Sequence, residues 1–409
     1  MNQTDFHHLV GKHVLIVVEN LPVPFDRRVW LEATTLKKAG MRVSVICPTT
    51  IDYSSTYEVI DDISIYRHKM PAESPGALGY IKEYTHALYH QVRLAIKIFN
   101  TQRFHILHAC NPPDLIWIVA LPFKLLFGVK IIFDHHDINP ELFEAKFGKK
   151  GFFHSLLLLM ERATFKFADT CIATNESYKE IAITRGKKRA DDVFVVRSGP
   201  KIDVAKQRPI NPKWRGGRRF LVGYVGVIGE QEGLDLLVKS INFIVKNLGR
   251  SDIQFIVVGD GPALRSIVKL AEAEGVLEFI TFTGRVSDEV LFEVLSTSDV
   301  CVNPDKVNEM NDKSTMNKIL EYMAFSKPIV QFDVTEGRRS AGAASLYAAP
   351  NDSQDFAEKI LRVLDSPSVS RQMGEIGRHR LETQLSWEHQ VDTLLAAYSH
   401  AISRKSGDG

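Results

Sequence analysis

The sequence has few cysteines, no long apolar run and almost no net charge, and each shortage removes a class of protein. Its four cysteines, Cys47, Cys110, Cys171 and Cys301, stand singly, without the close pairs that a zinc site or a redox dithiol needs. Buried thiols in a reducing compartment are expected. The longest apolar stretches, LIWIVALPFKLLF and FFHSLLLLM, fall short of the roughly 20 residues that span a bilayer. The start, MNQTDFHHLVGK, lacks the charged head and apolar core of a secretion signal, so a cytoplasmic protein is expected. With 51 Lys and Arg against 49 Asp and Glu, and no long basic run, no nucleic-acid partner is expected. Two common nucleotide motifs are missing as well. GxxxxGK[ST] does not occur, and neither VVENLPVP nor GYVGVIGE has the GxGxxG spacing and following acid of a dinucleotide site.

What the sequence does have is alternation. Runs rich in Val and Ile, such as HVLIVVE, RVSVIC, FHILHAC and KIIFDHH, alternate with helical patterns, which predicts parallel sheets built from βαβ units. The helix RRVWLEATTLKKAG stops at Gly40, as a helix should. The stretch SGPKIDVAKQRPINPKWRGGRR breaks the pattern, and alternation restarts at FLVGYVG. The fold expected is α/β, with two Rossmann-like doubly wound domains: 1–205, a linker at 206–217, and 218–378. Residues 379–409, which contain the amphipathic SWEHQVDTLLAAYSHAIS, are expected to pack back on the first domain.

Ligands of such sheets gather at the carboxyl ends of the strands, where helix N-termini attract anions. In the second half, GYVGVIGEQEGLDLL places Gly223, Gly226 and Gly229 between a strand and a helix. Farther on, KSTMNKILEYM predicts a helix capped by Ser314 or Thr315, with Met316, Ile319, Leu320 and Met323 buried and Asn317, Lys318 and Glu321 on the other side. Lys313 and Lys318 then lie where a helix dipole favours acids. Either they are a solvated face, or a diphosphate sits over the helix start and Glu321 binds a ribose diol. In the first half, IIFDHHDINPELF brings Asp134, His135, His136 and Asp137 to a sheet edge. Adjacent strand residues point to opposite faces, so only alternate members converge and no metal site is expected. ENLPVPFDRR should line the same edge, with Arg27 and Arg28 either meeting an anionic acceptor or starting a helix. LIWIVALPFKLLFGVK and AKFGKKGFFHSLLLLMERATFKF mix Lys with Phe and Leu, which fits either a core helix with a polar rim or a peripheral contact on the inner membrane face.

Together with FDRRVWLEATTL, FDHHDINPELF, YVGVIGEQEGLDLL, VVGDGP and SWEHQ, these stretches resemble the retaining glycosyltransferases of family 4, along nearly the whole chain. The resemblance implies the GT-B fold: two Rossmann-like domains facing a central cleft, the second holding a nucleotide-diphosphate sugar and the first a saccharide or lipid-linked acceptor. It implies transfer with retention of configuration, without metal or other cofactor, in bacterial surface-polysaccharide synthesis. It assigns His136 and Asp137 to the reaction centre; Glu141, after the helix-starting Pro140, is either an added polar contact for the acceptor or a first-turn carboxylate favoured by the helix dipole. On the donor side it assigns Glu321 to the ribose, with Arg285 and Val286 beside the base, while Gly226, Ser314, Thr315 and Asn317 are expected near the diphosphate from the loop and helix start themselves. The family signature is a Glu, seven residues and a second Glu. The second matches Glu321, whereas the first falls on Lys313. The family's Arg and Lys diphosphate clamp is also absent, with Val227 and Glu232 in those places. Lys313 and Lys318 standing in for the lost cations is one expectation. A degenerate transferase that only binds nucleotide-sugar, or a GT-B epimerase, are the alternatives.

Overall fold

The computed structural model describes residues 3–69, 77–148, 151–202 and 207–404. Lys149 and Lys150 of the predicted basic stretch, and 203–206 at the predicted linker, lie outside the described residues. In the first half the Val- and Ile-rich runs form β1 (His13–Val17), β2 (Arg42–Pro48), β3 (Tyr57–Ile60), β4 (Ile63–His68), β5 (Ile106–Cys110), β6 (Lys130–His135), β7 (Thr170–Ala173) and β8 (Val193–Val195). They make one sheet in the order β3-β4-β2-β1-β5-β6-β7-β8. Every residue of β1, β5 and β7 is buried, as parallel strands covered on both faces must be. β3 departs from the expected pattern: it pairs antiparallel with β4. Asp61 and Asp62 at the hairpin both have positive φ, 51° and 60°, the backbone that a two-residue turn with right-handed twist needs. Asp tolerates that region without being a strong turn signal there, so the sequence pattern hides the hairpin.

The second half forms β9 (Phe220–Val225), β10 (Ile253–Val258), β11 (Ile280–Gly284), β12 (Val300–Asn303), β13 (Ile329–Phe332) and β14 (Ser345–Ala348). All are parallel, in the order β11-β10-β9-β12-β13-β14. The chain divides into two compact units, Met1–Arg197 with Gln390–Gly409, and Ser198–His389. The boundaries therefore differ from the expected ones. The part of the expected linker described here is held to the second unit: Trp214 Nε1 donates to Glu293 at 2.6 Å and Arg215 pairs with Asp299 at 2.8 Å. Residues 379–389 also stay there, with Leu381 and Trp387 buried. The helix Val391–Ser403 belongs to the first unit, where Tyr398 Oη meets His108 Nδ1 at 2.7 Å.

Burial in these sheets also fixes a pH response. Burial pushes His13 and His68 down to about 4, with Arg42 and the neighbouring histidines acting in the same sense. His135, packed among the rings of Phe133, Phe165 and Tyr178, falls to about 3 through burial and the nearby Arg185. The unfolded chain binds protons at these sites below pH 6.5 while the folded chain does not, so their stabilising contribution is lost as pH falls from 6.5 toward those values. Burial raises Asp114 and Glu161 to about 6 and 7, and these acids act in the opposite sense. The effect is therefore read as a difference. His135→Phe is expected to gain stability relative to the wild type as pH falls below 6.5, by at most about 1.4 kcal/mol per pH unit. Urea melts of both proteins from pH 7 to pH 5 measure it, and parallel curves would contradict it.

Candidate functional site

In the first unit, the site is built where β6 ends. Asp134 and His136 are two residues apart and converge, while His135 turns to the opposite side beside Tyr178. Both meet Arg28, the second residue of the helix Arg27–Lys38, whose start is fixed by Asp26 accepting from the Val29 amide at 3.1 Å. Arg28 Nη2 is 2.8 Å from Asp134 Oδ1, and its Nε is 3.1 Å from Oδ2. Arg28 Nη1 donates to the Val196 carbonyl at 2.8 Å, and Nη2 is also 3.2 Å from Glu32. His136 Nε2 lies 2.5 Å from Asp134 Oδ2 and 3.1 Å from Arg28 Nε. Asn111 fixes the backbone: its Oδ1 accepts from the amides of His136 at 2.7 Å and Asp137 at 3.2 Å.

The charges here are unequal in a useful way. Burial alone would raise Asp134, but Arg28 and His136 outweigh it and hold this carboxyl well below the usual range. Glu32 suffers the same burial beside the Asp134 charge and is pushed well above its usual range. Two buried carboxyls thus share one guanidinium, and their affinities for a proton are pushed in opposite directions. Glu32, Asp134 and His136 also bring one ligand atom each within metal-cluster distance, but the cation between the two acids is Arg28 itself. The expected acceptor contacts are placed as follows. Arg27 is exposed, and Arg28 is buried in the ion pair just described. Glu141 is buried as well, paired with Arg185 at 2.7 Å.

In the second unit, β9 runs into Gly226, which has a φ of +153°, and here two close approaches depend on glycine, one at Gly259 and one at Gly226. A Cβ on Gly259 would lie 1.8 Å from the Gly226 carbonyl, and one on Gly226 would lie 3.2 Å from Lys318 Cε. Lys318 therefore lies across the glycine loop. Its Nζ sits 2.7 Å from Asp305 Oδ1 and 4.9 Å from the centre of the Tyr224 ring. Burial would lower the ammonium, but Asp305 and Tyr224 prevail and raise it, so it stays charged. Asp305 itself is raised, because burial exceeds the pull of Lys318.

The helix start differs from the expected one. The helix is Asn317–Ala324, its N-cap residue is Met316, and no side chain caps it. Ser314 Oγ instead donates to the Met310 carbonyl at 2.8 Å, closing a separate helix, Glu309–Lys313. Thr315 lies between the two helices. Lys313 is thus at a C-terminus, where a cation suits the dipole, and pairs with Glu309 at 2.8 Å. It does not share the helix of Lys318. Ile319, Leu320, Tyr322 and Met323 form the buried stripe, with Asn317 exposed and Glu321 half-buried. Tyr322 Oη donates to the Val302 carbonyl at 3.1 Å and accepts from the Val225 amide at 2.9 Å, tying the helix to the ends of β9 and β12. Arg285, just past β11, is exposed, while Val286 packs on the core. Val227 is 60% exposed and Glu232 half-buried. Sequence reasoning missed Asp305 and Arg28's partners. An acid just after the strand VCVNP was the available signal for the first; for the second there was none.

Two parallel-sheet α/β domains in series define a GT-B fold. The structure superposes on sucrose-phosphate synthase from Thermosynechococcus elongatus with a TM-score of 0.77 at 18% identity, covering 96% of this chain and 99% of that one. It superposes on Anabaena HepE in complex with UDP-glucose with a TM-score of 0.72 at 15% identity, covering 95% and 99%. The "Glycosyl transferase 4-like domain" model matches residues 26–199 and "Glycosyl transferases group 1" matches 219–366, one in each unit. The chain belongs to this family of glycosyltransferases. Among curated relatives, the O-antigen chain mannosyltransferase C of Escherichia coli is 24% identical over 245 residues, 58% of this chain and 62% of that protein. The chain spans about half the length of the curated relatives it matches.

Proposed function

We propose that the protein transfers a hexose or N-acetylhexosamine from a nucleoside diphosphate sugar, UDP favoured, to a saccharide or lipid-linked acceptor in surface-polysaccharide synthesis. The observation that carries the donor half is Lys318 lying across Gly226 beside an uncapped helix start. Amides at that start lack intrahelical partners, and a diphosphate there would share Lys318 with Asp305. Glu321, one turn on, is the ribose ligand in this reading. The UDP-glucose bound by HepE and the O-antigen role in the name of the E. coli relative support the donor and the pathway class. Transfer proceeds with retention and without metal: the leaving diphosphate oxygen takes the acceptor proton as the new glycosidic bond forms on the face that the phosphate leaves. His136 and Asp137 position the sugar and acceptor. The enzyme works in the cytoplasm, and where its acceptor is lipid-linked it meets that acceptor at the inner membrane face.

Calorimetry against UDP, GDP, ADP and their sugars, with and without EDTA, tests the donor. Because Lys318→Ala alone strands buried Asp305, Lys318→Ala/Asp305→Asn is the fair variant. It is expected to weaken nucleotide binding by roughly 1.5 to 3 kcal/mol, while Asp305→Asn alone retains it. Unchanged affinity in the double variant would remove Lys318 from the site. Product formed without any acceptor would favour the epimerase reading instead.

A further inference from the structure

The helices Ala77–Thr101, Trp117–Phe127 and Phe152–Phe167 of the first unit lie side by side. Phe99 of the first touches Phe127 of the second at 4.6 Å between ring centroids, and Trp117 stacks on Phe167 of the third at 5.2 Å. This layer should turn polar side chains outward. Large apolar side chains face outward here as well. Leu125 and Leu126 are 73% and 74% exposed, and Phe152 and Leu159 are 78% and 58% exposed. Half of the exposed large apolar side chains among the described residues lie on these three helices.

Charge on the same layer is one-sided. Arg93 and Lys97 on the first helix and Arg162 and Lys166 on the third are exposed. From residue 85 onward the three helices carry a single acid, Glu161, which is buried and bound to Arg185 at 2.6 Å. On the third helix the order is stepwise: Phe152, Leu156, Leu159, Arg162 and Lys166 follow one another at helical spacing. Apolar patches of this size mark an interaction surface. A protein partner is disfavoured, since protein interfaces are depleted in lysine. Apolar side chains flanked by unopposed Lys and Arg fit the boundary between acyl chains and anionic headgroups.

We propose that this three-helix face docks on an anionic lipid bilayer. It uses none of the residues proposed for transfer, and its test needs no donor, so either reading can fail without the other. The purified full chain is sedimented with vesicles of phosphatidylcholine alone, and of phosphatidylcholine and phosphatidylglycerol in equal parts. Binding is expected only to the anionic vesicles, and it should weaken as salt rises. Leu126→Glu/Leu159→Glu and Lys97→Glu/Arg162→Glu should each weaken it by about tenfold or more, with melting temperatures near the wild-type value because all four side chains are on the surface. No binding to anionic vesicles, or unchanged binding by either variant, overturns the proposal. So does a stable oligomer in vesicle-free solution that Leu126→Glu/Leu159→Glu dissolves, because the face would then join copies of the chain.

Discussion

Replacing Arg28 with methionine is expected to lower the stability of the first unit by roughly 3 to 5 kcal/mol, the usual cost of stranding one member of a buried ion pair. The methionine fills most of the same volume, so the loss is electrostatic. Asp134 is fully buried, and without the guanidinium its side-chain neighbours within hydrogen-bond reach are two histidines, His136 and His108. The pH dependence gives the cause away. In the wild type Asp134 is held well below its usual range. Its contribution is therefore present above the ordinary carboxylate value and is lost only as pH falls below it. Without Arg28, burial dominates and raises the same carboxyl. The variant then recovers as pH falls, and the gap between the two proteins in urea melts narrows from pH 7 to pH 5. Arg28→Met/Asp134→Asn should regain part of the loss, since the stranded charge is gone. A single variant within about 1 kcal/mol of wild type would mean that water reaches this cluster and the ion pair is an exposed one.

Arg28 also shows where reading the sequence stops. The strands of both sheets were legible because a parallel strand buried on two faces leaves a continuous apolar run, as in HVLIV and IQFIVV. β3 and β14 were not, because a short edge strand with YEVI or SLYA carries little apolar weight. Converging side chains at the sheet edge were half legible: the two-residue spacing of Asp134 and His136 follows from the pleat, whereas Arg28, 106 residues away in sequence, reaches them only through the tertiary fold. Ion-pair partners so distant leave no local period. Lys313 and Lys318 make the same point from the other side. A helix start at Ser314 or Thr315 was legible, but the short helix before it, Glu309–Lys313, was not, and that helix puts one lysine at a C-terminus while the other lies across a glycine loop. A helix of five residues is too short to show a hydrophobic period, and the bond that closes it, from Ser314 to Met310, spans a single turn.

His136→Ala is expected to lower kcat by about 10²- to 10³-fold with the donor identified by calorimetry, while leaving donor affinity nearly unchanged. The reason is the way the ring is held. Its Nε2 edge faces Asp134 and Arg28, and its backbone amide is fixed by Asn111. Among the described residues no partner is recorded for Nδ1, and the side chain is 15% exposed, so Nδ1 is the edge left to meet a substrate hydroxyl. Such a ring loses little entropy when the sugar arrives, which is what positioning requires. The loss has to be separated from damage to the ion pair that holds the ring. Removing His136 leaves Arg28 on Asp134, so stability should fall by about 1 kcal/mol only, far less than for Arg28→Met. Asp134→Asn supplies the complementary case: it disturbs the ring's anchor while keeping the ring, and should lower both stability and kcat. Activity within about threefold of wild type in His136→Ala would take the imidazole out of the reaction and leave the sheet edge as a purely structural cluster. A protein that binds donor equally well with and without His136, and transfers with neither, would be a nucleotide-sugar binder built on a transferase fold.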